Sequence, residues 1–207
     1  MKQQEKTKRT RDLILSAAVE EFGKKSYEAA SMNSICEGSN LSKGLVYHNF
    51  KSKDGLYLEC VKICYNEMIE YLGANARDFA DVRESLQHLL FLREEFFRKN
   101  PLYSNIFFHT ILQPPKHLIG EIREIREAFD AFNMGFYRRL LTHVQLREGV
   151  TEDLALEYFS IFTEIFNEYF QRRVEGNRDY RDLIEAHEGK LSKTFEILLY
   201  GIAKEGT

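Results

Sequence analysis

The sequence predicts an all-α protein, with an N-terminal three-helix head followed by a larger helical domain. Along its 207 residues, apolar side chains recur at intervals of three and four, which is the spacing of one face of a helix. The period-two alternation of a half-buried strand does not occur. Helix-breaking residues are few and separate the apolar segments from one another. These breaks are Pro101, Pro114-Pro115, Gly149 and Gly176-Asn177.

The first helix of the head is amphipathic and ends near Gly23. Its apolar side consists of Ile14, Ala17, Ala18 and Phe22. Basic residues cluster at the start of the chain, and we expect them to form an arm before this helix. Such an arm could reach DNA phosphates or an adjacent minor groove, and the alternative is a disordered, soluble terminus. The members of this arm are Lys2, Lys6, Lys8, Arg9 and Arg11.

Residues 31–53 have the pattern of a helix-turn-helix motif. A short helix directs Ile35 and Cys36 inward, and the polar sequence Gly38-Ser39-Asn40 breaks it. Asn40 is suited to the chain reversal, because asparagine tolerates the left-handed region of backbone space. Ser42 can then accept a hydrogen bond from the first backbone amides of a second short helix.

The second short helix has an inner and an outer side. We expect Leu45, Val46 and Phe50 to attach it to the core. The residues expected to face outward are Lys43, Gly44, Tyr47 and His48. Two helices joined in this way commonly place the second helix in the major groove of DNA. The motif therefore predicts a DNA-binding head over residues 1–53, followed by a second domain over 54–207.

The charge distribution favours the same interpretation. The whole chain carries a net charge of −3, but residues 1–53 hold ten lysines or arginines against six aspartates or glutamates, a net charge of +4. The remainder therefore carries −7. A basic head on an acidic body is typical of a protein that binds DNA with one end only.

Six helices are predicted after the head, over about 54–75, 81–100, 101–113, 116–146, 151–174 and 179–203. Asp81 can cap the second of these helices, with Glu84 as its capping-box partner. Pro101 suits the first position of the third, where a missing amide hydrogen costs nothing. Thr151, followed by two acidic residues, starts the fifth.

The run from Ser42 to Lys53, SKGLVYHNFKSK, resembles the recognition-helix signature of the TetR/AcrR family of bacterial transcriptional regulators. The preceding amphipathic helix, Tyr27 and the hydroxyl residue Ser31 are similar to that family as well, so the resemblance covers about the first third of the chain. There are two departures. Gly38-Ser39-Asn40 stands where the family usually has an Ala-Ala-Gly type of turn, and Gly55 replaces the usual acidic residue after Ser52.

The resemblance implies DNA-contacting roles at the matching positions. Ser31 would cap the first helix of the motif and bind a phosphate, and Lys51 and Lys53 would hold phosphate at the start of the next helix. The complete set implied is Ser31, Asn33, Ser42, Lys43, Gly44, Tyr47, His48, Asn49, Lys51 and Lys53. The partner would be a palindromic operator in double-stranded DNA, and the family's common habit implies a repressor.

The last two predicted helices are apolar on more than one side, so each needs a partner on each side. One partner is the chain's own core. The other, by the family resemblance, is the same helix pair of a second subunit, and the alternative is a larger monomeric core. The residues predicted for this homodimer interface are Tyr158, Phe162, Ile165, Tyr169, Leu191, Phe195, Leu198, Leu199 and Ile202.

The central helices are rich in aromatic residues, and large rings with few small fillers can leave a cavity between them. The resemblance implies that a small effector binds there, and the apolar walls would suit an apolar or aromatic molecule. The alternative is an aromatic core without a ligand. The lining residues predicted are Phe97, Tyr103, Phe107, Phe108, His109, Phe132, Phe136 and Phe166.

The sequence offers no catalytic, cofactor or metal-binding pattern. It lacks a nucleophile–histidine–acid set, a phosphate-binding glycine loop and metal-spaced histidines. The cysteines Cys36, Cys60 and Cys64 form no even disulfide framework, and core packing is their expected role. With no signal peptide and no apolar run long enough for a bilayer, we expect a cytoplasmic protein. A helical protein-binding adaptor and an all-α enzyme with an aromatic pocket are the alternative interpretations.

Overall fold

The computed structural model describes residues 2–77, 79–174 and 180–202, and within these ranges the secondary structure is helical, without an extended strand. This confirms the predicted all-α class. The α-helices are α1 (Lys2–Lys24), α2 (Met32–Ser39), α3 (Lys43–Asn49), α4 (Lys53–Asn75), α5 (Val82–Lys99), α6 (Pro101–Leu112), α7 (Ile119–Leu141), α8 (Glu152–Val174) and α9 (Tyr180–Ile202). A single-turn 3-10 helix, Lys116–Leu118, precedes α7.

Short-range signals in the sequence position the starts of several helices. The Asp81 carboxylate accepts a 2.7 Å hydrogen bond from the Arg83 amide at the start of α5. Pro101 is the first residue of α6, and the Thr151 hydroxyl accepts from the Leu154 amide at the start of α8. Each of these starts was expected, because a cap and its amide partner are only two or three residues apart.

The helix boundaries differ from prediction in two places. Residues 2–11 belong to α1, so the expected basic arm is wrong. Lysine, arginine, glutamine and glutamate are good helix formers, and no glycine or proline interrupts this segment. The other difference is α7, which ends at Leu141 rather than near residue 146. There the Thr142 hydroxyl donates to the Arg139 carbonyl, an alternative to continued helical bonding. The predicted break at Gly176-Asn177 lies outside the described residues.

The described residues divide into two compact units. The first is drawn from 2–67, 97–110 and 114–126, and the second from 68–77, 79–96, 111–113, 127–174 and 180–202. The first unit therefore contains the helix-turn-helix motif together with segments that come much later in the chain.

In the first unit, α6 lies against the end of α1. A Cβ atom placed on Gly23 would be 2.7 Å from the Leu102 Cβ and 2.9 Å from the Leu102 Cα. The Asn105 side-chain amide donates a 2.7 Å hydrogen bond to the Gly23 carbonyl. Because no side chain fits between these backbones, glycine at position 23 is what permits the contact.

The cysteines of α4 are part of the same core. Cys60 and Cys64 are fully buried, and the Cys64 thiol donates to the Tyr103 carbonyl at 3.3 Å. Burial raises the pKa of the Cys60 thiol to about 12 and raises the pKa of Cys64 as well. Thiolate formation is therefore unfavourable at both, which agrees with a packing role.

A largely buried ion pair joins α5 to α9 in the second unit. Two guanidinium nitrogens of Arg93 donate to the two carboxylate oxygens of Glu188, at 2.7 and 3.0 Å. His187 Nδ1 lies 3.0 Å from Glu188 Oε1, and His187 Nε2 lies 3.1 Å from the Asn167 side chain on α8. Burial alone would raise the pKa of Glu188, but Arg93 and His187 outweigh burial and lower it to about 2.

Gly23→Ala should lower the free energy of unfolding by about 1–3 kcal/mol, because the added methyl group would overlap the backbone of α6. Gly120→Ala in α7 is the matched control, since a Cβ there meets nothing within 4 Å. Chemical denaturation of both variants measures the difference. Equal stability of the two variants would mean that α6 can move away from α1 without cost.

Candidate nucleic-acid interface

The helix-turn-helix motif is held by caps at each of its bends. The Ser31 hydroxyl accepts a 3.2 Å hydrogen bond from the Asn33 amide at the start of α2. Asn40 has φ 55° and ψ 36°, in the left-handed region, and its amide donates to the Glu37 carbonyl. The Ser42 hydroxyl then accepts from the Leu45 amide at 3.3 Å and starts α3. The expected roles of Ser31, Asn40 and Ser42 as backbone caps are confirmed.

Helix α3 attaches to the core through one narrow side. Val46 and Phe50 are buried, four residues apart, and Ile35 of α2 is buried as well. Leu45 is 38% exposed, so the prediction that it also attaches α3 to the core is wrong. It is adjacent to Val46 in sequence and therefore about 100° around the helix, outside the narrow buried side.

The outer side of α3 presents the four residues that were expected there. Lys43, Gly44, Tyr47 and His48 are exposed, with Tyr47 at 39%. The Lys43 ammonium lies 6.0 Å from the centre of the Tyr47 ring. A Cβ on Gly44 would meet nothing within 4 Å, so the fold does not require glycine at this position. The missing side chain leaves the backbone of α3 accessible from outside.

The other predicted contact residues lie around this surface. Asn33, Ser42 and Lys51 are exposed, whereas Ser31, Asn49 and Lys53 are partly buried. The Asn49 side-chain amide donates to the Leu45 carbonyl, so one of its groups already has a protein partner. The Lys53 ammonium lies 4.4 Å from the centre of the Tyr27 ring.

Arg11 was predicted to belong to a basic arm, but its side chain contacts α4 and the residue that follows α3. Its guanidinium lies 4.4 Å from the centre of the Phe50 ring and donates to the Glu59 carboxylate at 2.8 Å. Arg11 therefore braces the end of α3 against α4. No local pattern in the sequence could have identified this role, because its partners lie 39 and 48 positions away.

The predicted effector-binding residues are distributed over both units. Phe97, Tyr103, Phe107, Phe108 and His109 belong to the first, and Phe132, Phe136 and Phe166 to the second. The rings of Phe97, Phe107 and Phe108 pack on one another, with centroids 5.0–5.3 Å apart. Burial lowers the pKa of His109 to about 4, so its imidazole is neutral near pH 7. Their contact with an effector stays a prediction.

Four of the α9 residues predicted for the dimer interface lie instead in the chain's own core. The prediction that they face outward to a second subunit is therefore wrong. They are Leu191, Phe195, Leu198 and Ile202. Phe195 is only 2% exposed and packs against Tyr137 and Phe159. A helix that is apolar on several sides does not reveal in its sequence which side faces its own core.

The remaining predicted interface residues retain some exposure. Phe162 and Leu199 are partly buried, and Tyr158, Ile165 and Tyr169 are exposed. Three further apolar residues of α8 and α9 that are outside the predicted interface set are exposed, namely Leu154, Ile161 and Ile197.

The described residues form neither a metal site nor a membrane span. Among the described residues, no three or more His, Cys, Asp or Glu side chains are grouped as metal ligands would be. In the same part of the chain, no helix has the length and apolar character needed to span a bilayer.

Comparison with known families identifies the chain. The N-terminal domain model of the bacterial regulatory proteins of the tetR family matches residues 14–60. A tetracyclin repressor-like C-terminal domain model matches residues 80–204, more than half of the chain. The chain belongs to the TetR family. It is therefore a DNA-binding transcriptional regulator with a helix-turn-helix motif, and it is not an enzyme.

Individual relatives of this TetR-family chain are distant. The negative transcriptional regulator of the biofilm operon icaADBC, IcaR, from Staphylococcus aureus is 22% identical over 130 residues, which cover 61% of this chain and 69% of that protein. Its Staphylococcus epidermidis counterpart is 27% identical over 113 residues, covering 55% of this chain and 59% of that protein.

Solved structures share the fold over nearly the whole chain. FadR from Bacillus subtilis, in complex with stearoyl-CoA, has a TM-score of 0.65 at 19% identity and covers 92% of this chain and 98% of its own. NalD from Pseudomonas aeruginosa, the secondary repressor of the MexAB-OprM multidrug efflux pump, has a TM-score of 0.61 at 19% identity, covering 97% and 99%.

Asn40→Ala should destabilise the helix-turn-helix motif by about 1–2 kcal/mol, because an ordinary side chain is unfavourable in the left-handed region. Asn40→Gly is the control and should be nearly neutral, since glycine enters that region freely. Urea denaturation of both variants provides the comparison. If alanine were tolerated as well as glycine, the left-handed turn would not limit the stability of the motif.

Proposed function

We propose that this regulator is a repressor that binds a palindromic operator as a homodimer and is released by a small-molecule effector. The observation that carries the proposal is the outer side of α3, where exposed Lys43, Tyr47 and His48 surround the open backbone at Gly44. Repression is supported by the relatives, since IcaR is a negative transcriptional regulator and NalD a repressor.

Sequence reading is assigned to α3. Its first turn, Ser42 to Gly44, would enter the major groove with the backbone close to the DNA, and Tyr47 and His48 would reach base edges from the middle of the helix. Asn33 and Asn49 lie on either side of this surface in the sequence. The two caps at Asn40 and Ser42 support the assignment, because they fix the direction of α3 before DNA is bound.

Backbone contacts are assigned to the edges of the motif. Ser31, Lys51 and Lys53 would hold phosphates on either side of the groove, and these contacts set the register without reading the sequence. All ten proposed DNA contacts fall within residues 1–53, the segment with a net charge of +4. This supports the proposed functional boundary after residue 53.

Lys53→Ala should weaken binding to the operator and to random DNA about equally, and it should lower the salt dependence of binding by a slope of roughly 0.9.

Tyr47→Ala should instead cost about 1–3 kcal/mol on the operator and much less on random DNA, because it removes a base contact. Lys43→Ala is expected to behave like Tyr47→Ala. Fluorescence anisotropy at several salt concentrations distinguishes the two classes. An equal loss from Tyr47→Ala on both DNAs would remove Tyr47 from sequence reading.

The homodimer is assigned to the exposed apolar stripe of α8. Leu154, Tyr158, Ile161 and Ile165 follow one another at intervals of four, three and four, which places them on one face of the helix. Leucine and isoleucine side chains in such a row are costly to leave in water, and a second copy of the same stripe would cover them. Two heads related by a two-fold axis then match the two halves of a palindrome.

The effector is assigned to the C-terminal domain and to the apolar or aromatic class. The support is the cluster of buried rings that Phe97, Phe107 and Phe108 form within the first unit. FadR, which shares the fold, was solved with stearoyl-CoA, a ligand with a long apolar chain. An effector releases DNA only if it binds better to a conformation whose two heads do not fit the operator.

Ile165→Glu should convert the dimer into a folded monomer and greatly weaken operator binding, because a charge would be buried without a partner in the interface. Ile165 is 59% exposed within one chain, so the substitution should not disturb the monomer core. Phe91→Glu is the matched control, since Phe91 is 58% exposed in the same unit but lies on α5. Analytical ultracentrifugation reports the assembly state. An Ile165→Glu protein that sediments as a dimer would place the interface elsewhere.

A further inference from the structure

Tyr27, on the turn between α1 and α2, is surrounded by groups from three parts of the first unit. Its ring packs on Phe22, with centroids 6.4 Å apart, and edge-on against Tyr57 at 5.0 Å. The Lys53 ammonium lies 4.4 Å from the ring centre. The phenol hydroxyl donates to the carboxylate of Asp54, the residue after Lys53. One side chain thus contacts two successive residues at the start of α4.

Both contacts affect how Lys53 can present its charge. A lysine ammonium on a flexible four-carbon chain has many orientations, and the electron-rich face of an aromatic ring favours one of them. The neighbouring Asp54 carboxylate would otherwise compete for the same ammonium. The hydrogen bond from Tyr27 contributes most to the lowered pKa of Asp54, so this carboxylate is held as the anion by the phenol. Tyr27 therefore orients the Lys53 ammonium with its ring. Its hydroxyl also binds the Asp54 carboxylate, which would otherwise pair with that ammonium.

A third group comes from far along the chain. His117, on the 3-10 helix before α7, places its Nε2 atom 3.4 Å from Asp54 Oδ1 and 3.5 Å from the Tyr27 hydroxyl. The His117 ring also meets the Tyr27 ring edge-on, with centroids 5.5 Å apart. His117 lies within the segment that matches the C-terminal family model, 63 positions after Asp54.

We propose that Tyr27 is a positioning residue that orients Lys53 for a DNA phosphate, and that His117 keeps the Tyr27–Asp54 pair in place. The inference rests on the proposed role of Lys53 as a phosphate anchor. It assigns to a residue of the C-terminal segment a direct part in arranging the DNA-binding surface. A movement of the 3-10 helix would then change the affinity for any DNA sequence, because a phosphate contact does not depend on the bases.

A double-mutant cycle on random DNA tests the first part. Tyr27→Leu removes both the ring face and the hydroxyl, and it should weaken binding roughly 3- to 10-fold in the wild-type background but not in the Lys53→Ala background. Tyr27→Phe keeps the ring beneath Lys53 but removes the hydrogen bond to Asp54, so it should restore only part of the affinity. Equal weakening by Tyr27→Leu in both backgrounds would show that Tyr27 acts on the fold in general, and the inference would fail.

His117→Ala tests the second part. His117 is exposed, so its truncation should leave the thermal unfolding temperature unchanged. The His117→Ala variant can therefore test the inference even if Tyr27→Leu does not fold. The expected result is a loss of affinity for random DNA of roughly 2- to 3-fold that disappears in the Lys53→Ala background. His143→Ala, at another exposed histidine, is the control.

Two outcomes separate the inference from the proposal beneath it. If Lys53→Ala alone changes neither the affinity nor the salt slope, the role of Lys53 as a phosphate anchor fails. If Lys53→Ala weakens binding while His117→Ala behaves like His143→Ala, the anchor stands and the part assigned to His117 is overturned.

Discussion

The close approach of α6 to the end of α1 is the constraint on which the first unit depends. It is possible only because Gly23 has no side chain, and the Asn105 amide fixes it by donating to the Gly23 carbonyl. Once α6 is in place, its Thr110 meets the Tyr65 hydroxyl of α4 at 2.9 Å, and Phe107 packs on the same tyrosine. The core beneath the helix-turn-helix motif is thus completed by residues that come more than fifty positions later. The DNA-binding motif and part of the C-terminal segment form one structural body.

The recognition helix itself is only lightly attached. Seven residues of α3 contribute Val46 to the core, with Phe50 following directly after the helix. A helix of this length is not stable alone, so its direction depends on the caps at either end and on Arg11, which packs over Phe50. Because so few residues of α3 are buried, nearly the whole outer side of the helix is available to a partner. This light attachment also means that changes at Asn40 or Arg11 should alter DNA binding, although neither residue is among the proposed DNA contacts.

Features governed by near neighbours could be predicted from the sequence, and features governed by distant ones could not. Helix starts depend on partners within four residues, so their positions can be predicted from short stretches of sequence. Examples are the caps at Ser31, Ser42 and Thr151 and the start of α6 at Pro101. The exposure of Leu45, the brace made by Arg11 and the burial of Phe195 depend on elements brought together only by the fold. Likewise, the motif predicted Lys53 as a phosphate anchor, but nothing in its pattern pointed to His117, 64 positions further on.

The ion pair between Arg93 and Glu188 has a consequence for how the protein folds. Its two partners are 95 positions apart, so forming the pair closes a long loop, which the loss of chain entropy opposes. Until α9 docks, the side of α8 that contacts it, with Phe159 and Phe166, is open to water and to other chains. Partly folded molecules of this regulator are therefore prone to aggregate through this side of α8.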